Sequence, residues 1–497
     1  MSTGRGSSDM QDSLTLMQFH DPYLYSGTAG AANLPLMPHS FLHHHQTFVH
    51  TGERCPSNKE FVDHAAAEVI SAGEQELALA SHKEVSYGRG DGNAVEEQNK
   101  GSATTDRGEQ DDEEAHGVRM IALLMESAVA VSVGNLADAN GMLLELSQMA
   151  SPYASSCGER LVAYFTKAMA ARLMGSWVGV CAPLAPPWHA VHAAFRAFYN
   201  VSPLARSAYL ACNQAILDAF HGKRLAHVVD LDVVPGGALQ WLSLLPALAA
   251  RPGGPPVLRV TGFGLSASAL HDTGNQLAAL ASKLGVPFEF YAVEKRPGDV
   301  ADVLPVARRP GEAVAVHWMR HAMYDAVGDD GATMRLVRWL EPKVVTLVEQ
   351  ERGGGGGVHD DGHGQFLDRF VSALHHYSAM FDALGASRPG EEDASRHLVE
   401  RGVLGREIGN VLAVGGPSRS GARRGGRFAC WQAELARHGF LRLGGAGRAQ
   451  MVAGACPAGL GYTVADDHDG TVRLGWKGTP LYAVSTWTWC PSPHAQR

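Results

Sequence analysis

The sequence predicts an α/β fold, in which a mostly parallel sheet follows a helical region and is extended by antiparallel strands. Residues 226–264 read as strand, turn, helix, Pro/Gly turn and strand, which is the opening unit of a parallel sheet. Further strand patterns alternate with helical ones, which indicates a sheet covered on both faces. Residues 118–222 contain helical patterns only, and we therefore predict a helical cap before the sheet.

The N-terminal region, residues 1–117, differs in composition from the rest of the chain. It is rich in Gly, Ser, Asp and Gln, and it contains the acidic run DRGEQDDEE at 106–114. Such a segment buries too little apolar surface to offset the entropy of ordering, so we predict a disordered acidic and polar region. The histidine tract at 43–45 has metal-binding side chains, but we interpret it as incidental composition.

The helical cap contains several helices with distinct signals. VRMIALLMESAVAVSVG is apolar all round, which is typical of a buried helix. Asn135 is the predicted N-cap of the next helix, and Ser155 or Ser156 that of the third. The leucines of the second helix recur at helical spacing, and we predict that they belong to a partner-binding bundle: Leu136, Leu143, Leu144 and Leu146.

Five strands are predicted in the parallel part of the sheet. Their sequences are AHVVDL, VLRVTGF, PFEFYAV, AVAVHWM and KVVTLVEQ. Short strands near GYTVAD, TVRLGWK and LYAVSTWTW follow, joined by turns such as DHDG, and we expect them to add antiparallel hairpins at the sheet edge. The run Gly353–Gly357 is predicted to be a surface loop.

Composition limits the function classes. The formal charge of −9 and the isoelectric point near 6.2 argue against a protein that coats nucleic acid. No apolar run reaches the ~18–20 residues of a membrane helix, and the N-terminus lacks the layout of a secretion signal. Seven cysteines without a CxxC pair indicate free thiols and no zinc site. We therefore expect a soluble intracellular protein.

The turn after the first strand decides between an enzyme and a non-enzyme. A nucleotide or methyl-donor site needs a Gly-rich turn there and a carboxylate at the tip of the second strand. The turn DLDVVPGGALQW has Gly236 and Gly237 but no GxGxxG, and no carboxylate follows the second strand until Asp272. We therefore predict no cofactor and no enzymatic activity.

Polar residues around this turn have structural interpretations. His227 lies in an apolar strand and is predicted to be a hydrogen-bonded core histidine, while Trp241 is predicted to anchor the following helix to the sheet. We place Asp230 and Asp232 on opposite faces of the sheet and expect at least one to cap the turn. Walker, GxSxG and HExxH motifs are missing. The basic run SRSGARRGGR at 418–427 is interpreted as a solvated loop, and the alternative is a phosphate contact or part of a nuclear address.

Several blocks in order resemble the GRAS family of plant transcriptional regulators over residues 118–490. Residues 121–175 are similar to the first leucine-rich region and 267–300 to the second. Several blocks in the family's order are stronger evidence for membership than any single motif. The residues that carry the resemblance are, in the VHIID-like region, His227, Val228, Val229, Asp230, Asp232, Gln240 and Trp241; in the PFYRE-like region, Arg406 and Glu407; and in the SAW-like region, Trp431, Gly439, Leu474, Trp476, Ser485 and Trp487.

The first leucine-rich helix and the segments NVLAVGGPSRSG and PKVVTLVEQ look most like the SCARECROW and SCARECROW-like branch. The resemblance implies a helical cap over a methyltransferase-like, Rossmann-type core spanning 223–490. It implies a nuclear co-regulator in radial patterning and asymmetric cell division, with a SHORT-ROOT-like GRAS protein and INDETERMINATE-domain C2H2 zinc-finger proteins as partners. DNA would be reached through those partners, and no membrane is implied.

The sequence departs from the family pattern at identifiable places. The VVPGGA turn is lengthened before Gln240, and Thr486 stands where the SAW triplet has alanine. We expect this protein to differ from its relatives most at the lengthened turn. Two other hypotheses remain open at this stage: a methyltransferase-like enzyme or small-molecule receptor that uses the α/β core, and a protein that binds DNA directly.

Overall fold

The computed structural model describes residues 102–178, 188–300, 306–351, 364–387, 393–413, 430–444, 447–457 and 459–490. Helices form its first part: α1 Ser102–Ser132, α2 Leu136–Met149, α3 Cys157–Val178, α4 Trp188–Val201 and α5 Pro203–Ala219.

Helix α1 begins at Ser102, so the prediction of disorder up to residue 117 is wrong for residues 102–117. The acidic residues of this run are compatible with a helix, although they form no apolar face that the sequence pattern would reveal.

The α/β part follows the predicted alternation of strands and helices. Its elements are β1 Leu225–Asp230, α6 Trp241–Ala249, β2 Val257–Phe263, α7 Ala267–Leu284, β3 Phe288–Val293, β4 Ala313–Met319, α8 Asp330–Trp339 and β5 Val344–Gln350. Each of the five predicted strands is present, with its ends within one residue of the prediction. A short 3-10 helix, Pro297–Asp299, lies between β3 and β4.

The C-terminal part adds helices on one side and antiparallel strands on the other. Its elements are α9 Gly364–Ser387, α10 Asp393–Val399, a π-helical turn Glu400–Leu404, α11 Gly405–Leu412, α12 Trp431–Arg437, β6 Phe440–Arg442, α13 Arg448–Ala455, β7 Tyr462–Asp466, β8 Val472–Trp476 and β9 Thr479–Trp489. The three predicted late strands are confirmed. Strand β6 was not predicted, because three residues are too few for a strand period to appear.

The strands form one sheet in the order β3-β2-β1-β4-β5-β9-β8-β7, with β6 paired to β9. Strands β1 to β5 are mutually parallel, and β9 runs antiparallel to β5. The chain adds β2 and β3 on one side of β1 and then β4 and β5 on the other side, so the strand order reverses between β1 and β4. In open α/β sheets the crevice at such a switch point, beyond the carboxyl ends of the strands, is where ligands bind.

Both faces of the sheet are covered, as the predicted fold requires. Val228 packs under α5, α6 and α7, whereas Val229 faces α8 and α12 on the other side. This alternation follows from the two-residue period of a strand. A third apolar cluster joins α1 to α5, α9 to α11 and the outer strands β8 and β9.

Helix termini are fixed by local side chains and glycine. Ser202 and Ser266 accept hydrogen bonds from the first-turn backbone N–H groups of α5 and α7. Ser156 accepts from the N–H of Glu159 at 3.3 Å, which confirms one of the two predicted N-caps of α3. Gly285 ends α7 in the left-handed conformation at φ 66°, which a side chain would disfavour.

One stretch of α1, Glu114–Ser132, has the length and apolar composition of a membrane helix. The expectation that no run would reach this length is corrected, because small residues keep the stretch apolar without an unbroken run of large side chains. In the structure α1 packs against α2, α3 and α9. Its inward side chains Met120, Leu124 and Ala128 are buried in the shared core, which accounts for the composition.

Three segments singled out in the sequence lie outside the described residues. They are the histidine tract at 43–45, the glycine run at 353–357 and the basic run at 418–427.

Candidate functional site

The carboxyl end of β1 brings together the residues of the VHIID-like block. His227 is buried in mid-strand, where its Nε2 lies 2.8 Å from Thr261 Oγ1 and its Nδ1 lies 2.9 Å from the Arg259 guanidinium. Burial, together with the charge of Arg259, lowers the pKa of His227 to about 3. The imidazole is therefore neutral, and the prediction of a hydrogen-bonded core histidine is confirmed.

Asp230 ends β1 and holds both the turn and the helix that follow it. Its Oδ1 accepts the backbone N–H of Asp232 at 3.2 Å, and its Oδ2 accepts the indole N–H of Trp241 at 3.1 Å. These contacts confirm that Asp230 caps the turn and that Trp241 anchors α6 to the sheet. Burial raises the pKa of Asp230 to about 7, and the nearby charge of Asp232 adds to this increase.

The assignment of Asp230 and Asp232 to opposite faces of the sheet is wrong. Strand β1 ends at Asp230, and the turn carries the Asp232 carboxylate close enough for the two charges to interact. Asp232 Oδ2 accepts from His321 Nε2 at 2.9 Å and from the Tyr324 hydroxyl at 2.7 Å. Both donors lie in the segment after β4, so the switch-point crevice is closed by side chains of the chain itself.

His321 and Tyr324 were not found by sequence reasoning. They follow β4, whose carboxyl end lies beside that of β1, and this topology is the signal that would have predicted their meeting with Asp232. The backbone N–H of Met323 donates to His321 Nδ1 at 3.2 Å, which leaves Nε2 as the protonated nitrogen. Trp188 of α4 packs edge-on against Tyr324 at 5.0 Å between ring centroids.

Gln240 links the helical cap to the centre of the sheet. Its side-chain amide donates to Asn213 Oδ1 at 3.2 Å, and Asn213 returns a bond to the Gln240 carbonyl at 3.1 Å. The amide also lies 3.4 Å from His317 Nδ1, and the same nitrogen is 2.9 Å from Thr346 Oγ1. Helix α5, β4 and β5 are thus joined by one buried polar network, which is a structural role.

The glycine turn is filled by protein. A Cβ atom on Gly236 would lie 2.6 Å from the Tyr209 hydroxyl, and one on Gly237 would lie 2.6 Å from the His192 ring. Val233 and Val234 of the same turn are buried. Gly237 also has φ 54°, which favours glycine. In this turn glycine therefore allows helices α4 and α5 to approach the backbone, where a nucleotide-binding turn would leave room for phosphate.

The PFYRE-like residues have different environments. Glu407 is buried, and its carboxylate accepts from the backbone N–H of Ala322 at 3.0 Å, from Gln350 Nε2 at 2.8 Å and from the Tyr377 hydroxyl at 3.3 Å. It therefore joins α11 to β5, α9 and the segment after β4. Arg406 is half-buried, and partial burial together with the charge of Arg401 lowers its pKa.

The SAW-like residues lie around β8 and β9. The Trp476 indole donates to Asp382 Oδ2 at 2.6 Å, and the Trp487 indole donates to Ser485 Oγ at 2.9 Å. Leu474 is buried in the apolar cluster that includes the cap and Trp476.

The remaining SAW-like residues lie around α12. Trp431 packs edge-on against Trp318 at 5.0 Å between ring centroids. Gly439 ends α12 at φ 87°. Trp431 therefore holds α12 against the parallel sheet, whereas Trp476 ties β8 to α9.

The leucines of α2 divide into two groups. Leu143 and Leu146 are fully buried in the core of the cap, whereas Leu136 and Leu144 are half-buried. Only the second pair is accessible enough to contact another protein directly. Among the described residues there is no group of three His, Cys, Asp or Glu side chains arranged to hold a metal ion.

Comparison with known proteins places these features in a family. The family model for the GRAS domain matches residues 120–488. The chain is 44% identical over 392 residues to the protein SCARECROW of Arabidopsis thaliana, covering 77% of this chain and 57% of that protein. It is 41% identical over 384 residues to Scarecrow-like protein 23 of the same plant, covering 75% of this chain and 90% of that protein.

The chain spans about half the length of the first curated relatives it matches, between 44% and 57% for three SCARECROW proteins. Among solved structures, the crystal structure of SCL7 from Oryza sativa superposes with a TM-score of 0.60 at 28% identity. That match covers 74% of this chain and 99% of the solved one. The methyltransferase-like α/β fold predicted from the sequence is consistent with this neighbour.

Proposed function

The chain belongs to the GRAS domain family, and we propose from this membership that it is a nuclear co-regulator of transcription in plant development. It acts through protein–protein contacts rather than by catalysis. Its similarity to SCARECROW proteins supports a role in radial patterning and asymmetric cell division.

The observation that carries the proposal is the filled switch-point crevice. Tyr209, His192 and Tyr324 occupy the space over the turn and beside Asp232 that a cofactor would need. A sheet whose ligand position is packed with its own side chains is suited to a scaffold role.

Isothermal calorimetry with S-adenosylmethionine and with NAD should give no heat of binding. Micromolar binding would instead favour an enzyme or a small-molecule receptor.

DNA is reached through a zinc-finger partner of the INDETERMINATE-domain class. The net charge of −9 supports indirect binding, since direct DNA-binding domains are usually basic. The decisive experiment is a mobility-shift assay with the purified chain, with and without such a partner. We expect retarded DNA only when the zinc-finger protein is present, and a further shift when both are present. Sequence-specific retardation by this chain alone would contradict the proposal.

Pairing with a SHORT-ROOT-like GRAS protein takes place on the helical cap. Leu136 and Leu144 are the accessible members of the leucine set on α2. Substitution Leu144→Arg should abolish co-purification of the partner while the thermal unfolding midpoint changes by only a few degrees. The matched control Ala433→Arg adds the same charge to an exposed alanine on α12, and should leave pairing intact. Full pairing of both variants would exclude this surface of α2.

Nuclear location belongs to the same proposal. A fluorescent fusion of the chain should accumulate in plant nuclei, and a uniformly cytoplasmic signal would contradict a direct role in transcription.

A further inference from the structure

An exposed surface with two tryptophans lies at the end of α8. Arg335, Arg338 and Trp339 are separated by three and four residues, so they share one exposed face of the helix. Trp339 is 48% exposed, although tryptophan is highly buried on average. The Arg338 guanidinium lies 5.4 Å from the centroid of the Trp489 ring, so β9 adds a second indole beside the helix. With Lys343, which is exposed just before β5, these residues form the tryptophan surface.

The tryptophan surface carries positive charge that the described part of the chain leaves uncompensated. The side chains of Arg338 and Lys343 form no ion pair with any described residue. Arg335 is 75% exposed, and its ion pair is 4.0 Å long. The neighbouring carboxylate of Glu341 is already paired with Arg308 at 3.1 Å. The tryptophan surface therefore attracts an acidic ligand.

An aromatic anchor among basic side chains suits either an acidic peptide or a single-stranded nucleic acid. A nucleic acid needs successive aromatic rings on which its bases stack. The Arg338 guanidinium already lies over the Trp489 ring, so Trp339 alone presents an uncovered indole on this surface. One apolar anchor within a basic surface is better matched by a peptide that combines acidic and apolar side chains.

The chain itself contains a peptide of this kind. Residues 1–101 hold 13 acidic and 6 basic side chains, so they contribute −7 to the formal charge of −9. Within them, residues 60–84 have six acidic side chains and a single lysine. The same stretch supplies apolar side chains, which include Phe61, Val69 and Leu77. Acidic charge is thus concentrated in one part of the chain and uncompensated basic charge in another.

The connection to α1 is long enough for this stretch to reach a distant face. Seventeen residues separate position 84 from Ser102, where α1 begins. Fully extended, they span about 60 Å. A compact domain of the size that follows has a diameter of about 55 Å.

We propose that residues 60–84 dock on the tryptophan surface of the same chain, with Phe61 or a neighbouring apolar side chain against Trp339. Their carboxylates then pair with Arg335 and Lys343. Exposed ion pairs are weak one by one, so the contact depends on several carboxylates together and weakens as salt screens them. Tethering compensates for this weakness, because it holds the segment at an effective concentration of about a millimolar. An acidic segment of another protein would bind here only by displacing residues 60–84.

The test is photo-cross-linking in the full chain, with p-benzoylphenylalanine in place of Trp339 and mass spectrometry of the linked peptides. We expect links from position 339 to residues 60–84 at about 50 mM salt, and a yield about fivefold lower at about 500 mM. A mixture of unlabelled and nitrogen-15-labelled chains separates links within a chain from links between chains. The control places the same photoreactive residue at Leu441, which is 55% exposed on the opposite face of β6 from Trp489, and should give no such link.

Charge reversal tests the electrostatic part of the contact. Arg335→Glu with Lys343→Glu, combined with the photoreactive residue at 339, should lower the yield of links to residues 60–84 about tenfold. The matched control Arg206→Glu with Lys295→Glu makes the same change of charge at two exposed positions outside the tryptophan surface. It should leave the yield unchanged. Circular dichroism establishes that both variants are folded.

A cleavage experiment tests the contact without a photoreactive residue. A protease site is inserted after Gly101, and the folded full chain is cut in low salt. The 1–101 piece should then co-elute with the remainder in size-exclusion chromatography. Trp339→Ala should release it, whereas Trp339→Phe keeps an aromatic anchor and should retain most of it.

Four results would overturn the proposal. One is the absence of links from position 339 to residues 60–84, and another is links that form only between chains. The third is an equal yield in the charge-reversed variant and its matched control. The last is a native chain that gives no link to residues 60–84 but retains a labelled polythymidine strand, with retention lost in Trp339→Ala. That outcome would assign the tryptophan surface to a nucleic acid.

Discussion

At the scale of single residues, the buried polar groups of this chain hold distant elements together. Glu407 accepts hydrogen bonds from a backbone N–H, an amide and a hydroxyl that come from three different elements. His227 and Gln240 have comparable roles in the sheet. Such groups stabilise the fold only while every donor and acceptor is matched, because an unmatched buried polar atom is costly.

Substitution Glu407→Gln should lower the free energy of unfolding by about 2–4 kcal/mol. The glutamine amide would place an NH₂ donor where the Glu407 carboxylate now accepts hydrogen bonds from three other donors. Urea unfolding followed by tryptophan fluorescence measures the change. The control Glu434→Gln removes a partly exposed ion pair with Arg437 and should cost less than about 1 kcal/mol. Equal effects of the two substitutions would show that the Glu407 network contributes little.

Asp230 gives a pH-dependent prediction. Burial raises its pKa from the ordinary value of 3.8 to about 7, so the folded state binds a proton that the unfolded state has released. Its contribution is fully favourable below pH 3.8 and is lost as the pH rises through about 7. Asp230→Asn lacks this titration, so its free energy of unfolding relative to the native chain should increase as the pH rises from 5 to 8.

The gain for Asp230→Asn should not exceed about 3 kcal/mol, which is the free energy of the roughly two pH units between pH 5 and the folded pKa of about 7. Urea unfolding of both chains at the two pH values gives the difference directly. Asp272→Asn, at an exposed position of α7, serves as the control and should show no change in relative stability. A difference between Asp230→Asn and the native chain that does not vary with pH would mean that Asp230 stays ionised in the folded protein.

At the scale of elements, the turn after β1 is where helix packing replaces ligand binding. Gly236→Ala should destabilise the chain by about 1–3 kcal/mol, because its Cβ meets the Tyr209 hydroxyl at 2.6 Å while the next atom of that ring is 3.6 Å away. The double variant Gly236→Ala with Tyr209→Phe removes the hydroxyl and should regain most of the loss. Thermal unfolding of the four chains in this double-mutant cycle measures the coupling. Additive effects would contradict the close packing.

Elements differed in how well the sequence predicted them. Strands β1, β2, β4 and β5 are buried on both faces, so continuous apolar runs with sharp ends predicted them to within one residue. Strand β6 is too short to have a period, and the start of α1 carries no apolar face. The packing of Tyr209 and His192 against the turn glycines was not predicted, since it depends on helices that precede β1. The closure of the crevice by His321 and Tyr324 was not predicted, since it depends on a contact about ninety residues away in the chain.

At the scale of the whole molecule, the helical cap and the sheet share one interior. Helix α5 packs directly on β4, β5, β8 and β9. The guanidinium of Arg160 in α3 and the carboxylate of Glu400 in the π-helical turn form a fully buried pair at 3.0 Å across 240 residues of sequence. Breaking such a pair leaves a buried charge without a partner, so the two regions cannot separate at low cost.

We therefore expect the cap and the core to unfold in one cooperative transition. Leu143→Ala in the cap and Val316→Ala in the sheet both remove fully buried methyl groups, and each should lower the midpoint of the same transition. The leucine substitution should cost about 2–5 kcal/mol. Circular dichroism, which follows all the helices, and tryptophan fluorescence, to which Trp241 and Trp318 near the sheet contribute together with the tryptophans of the cap, should then give coincident curves. Two separate transitions, with Leu143→Ala moving only one of them, would show that the cap folds independently. In that case partner binding on the cap would not be transmitted to the core through the shared interior.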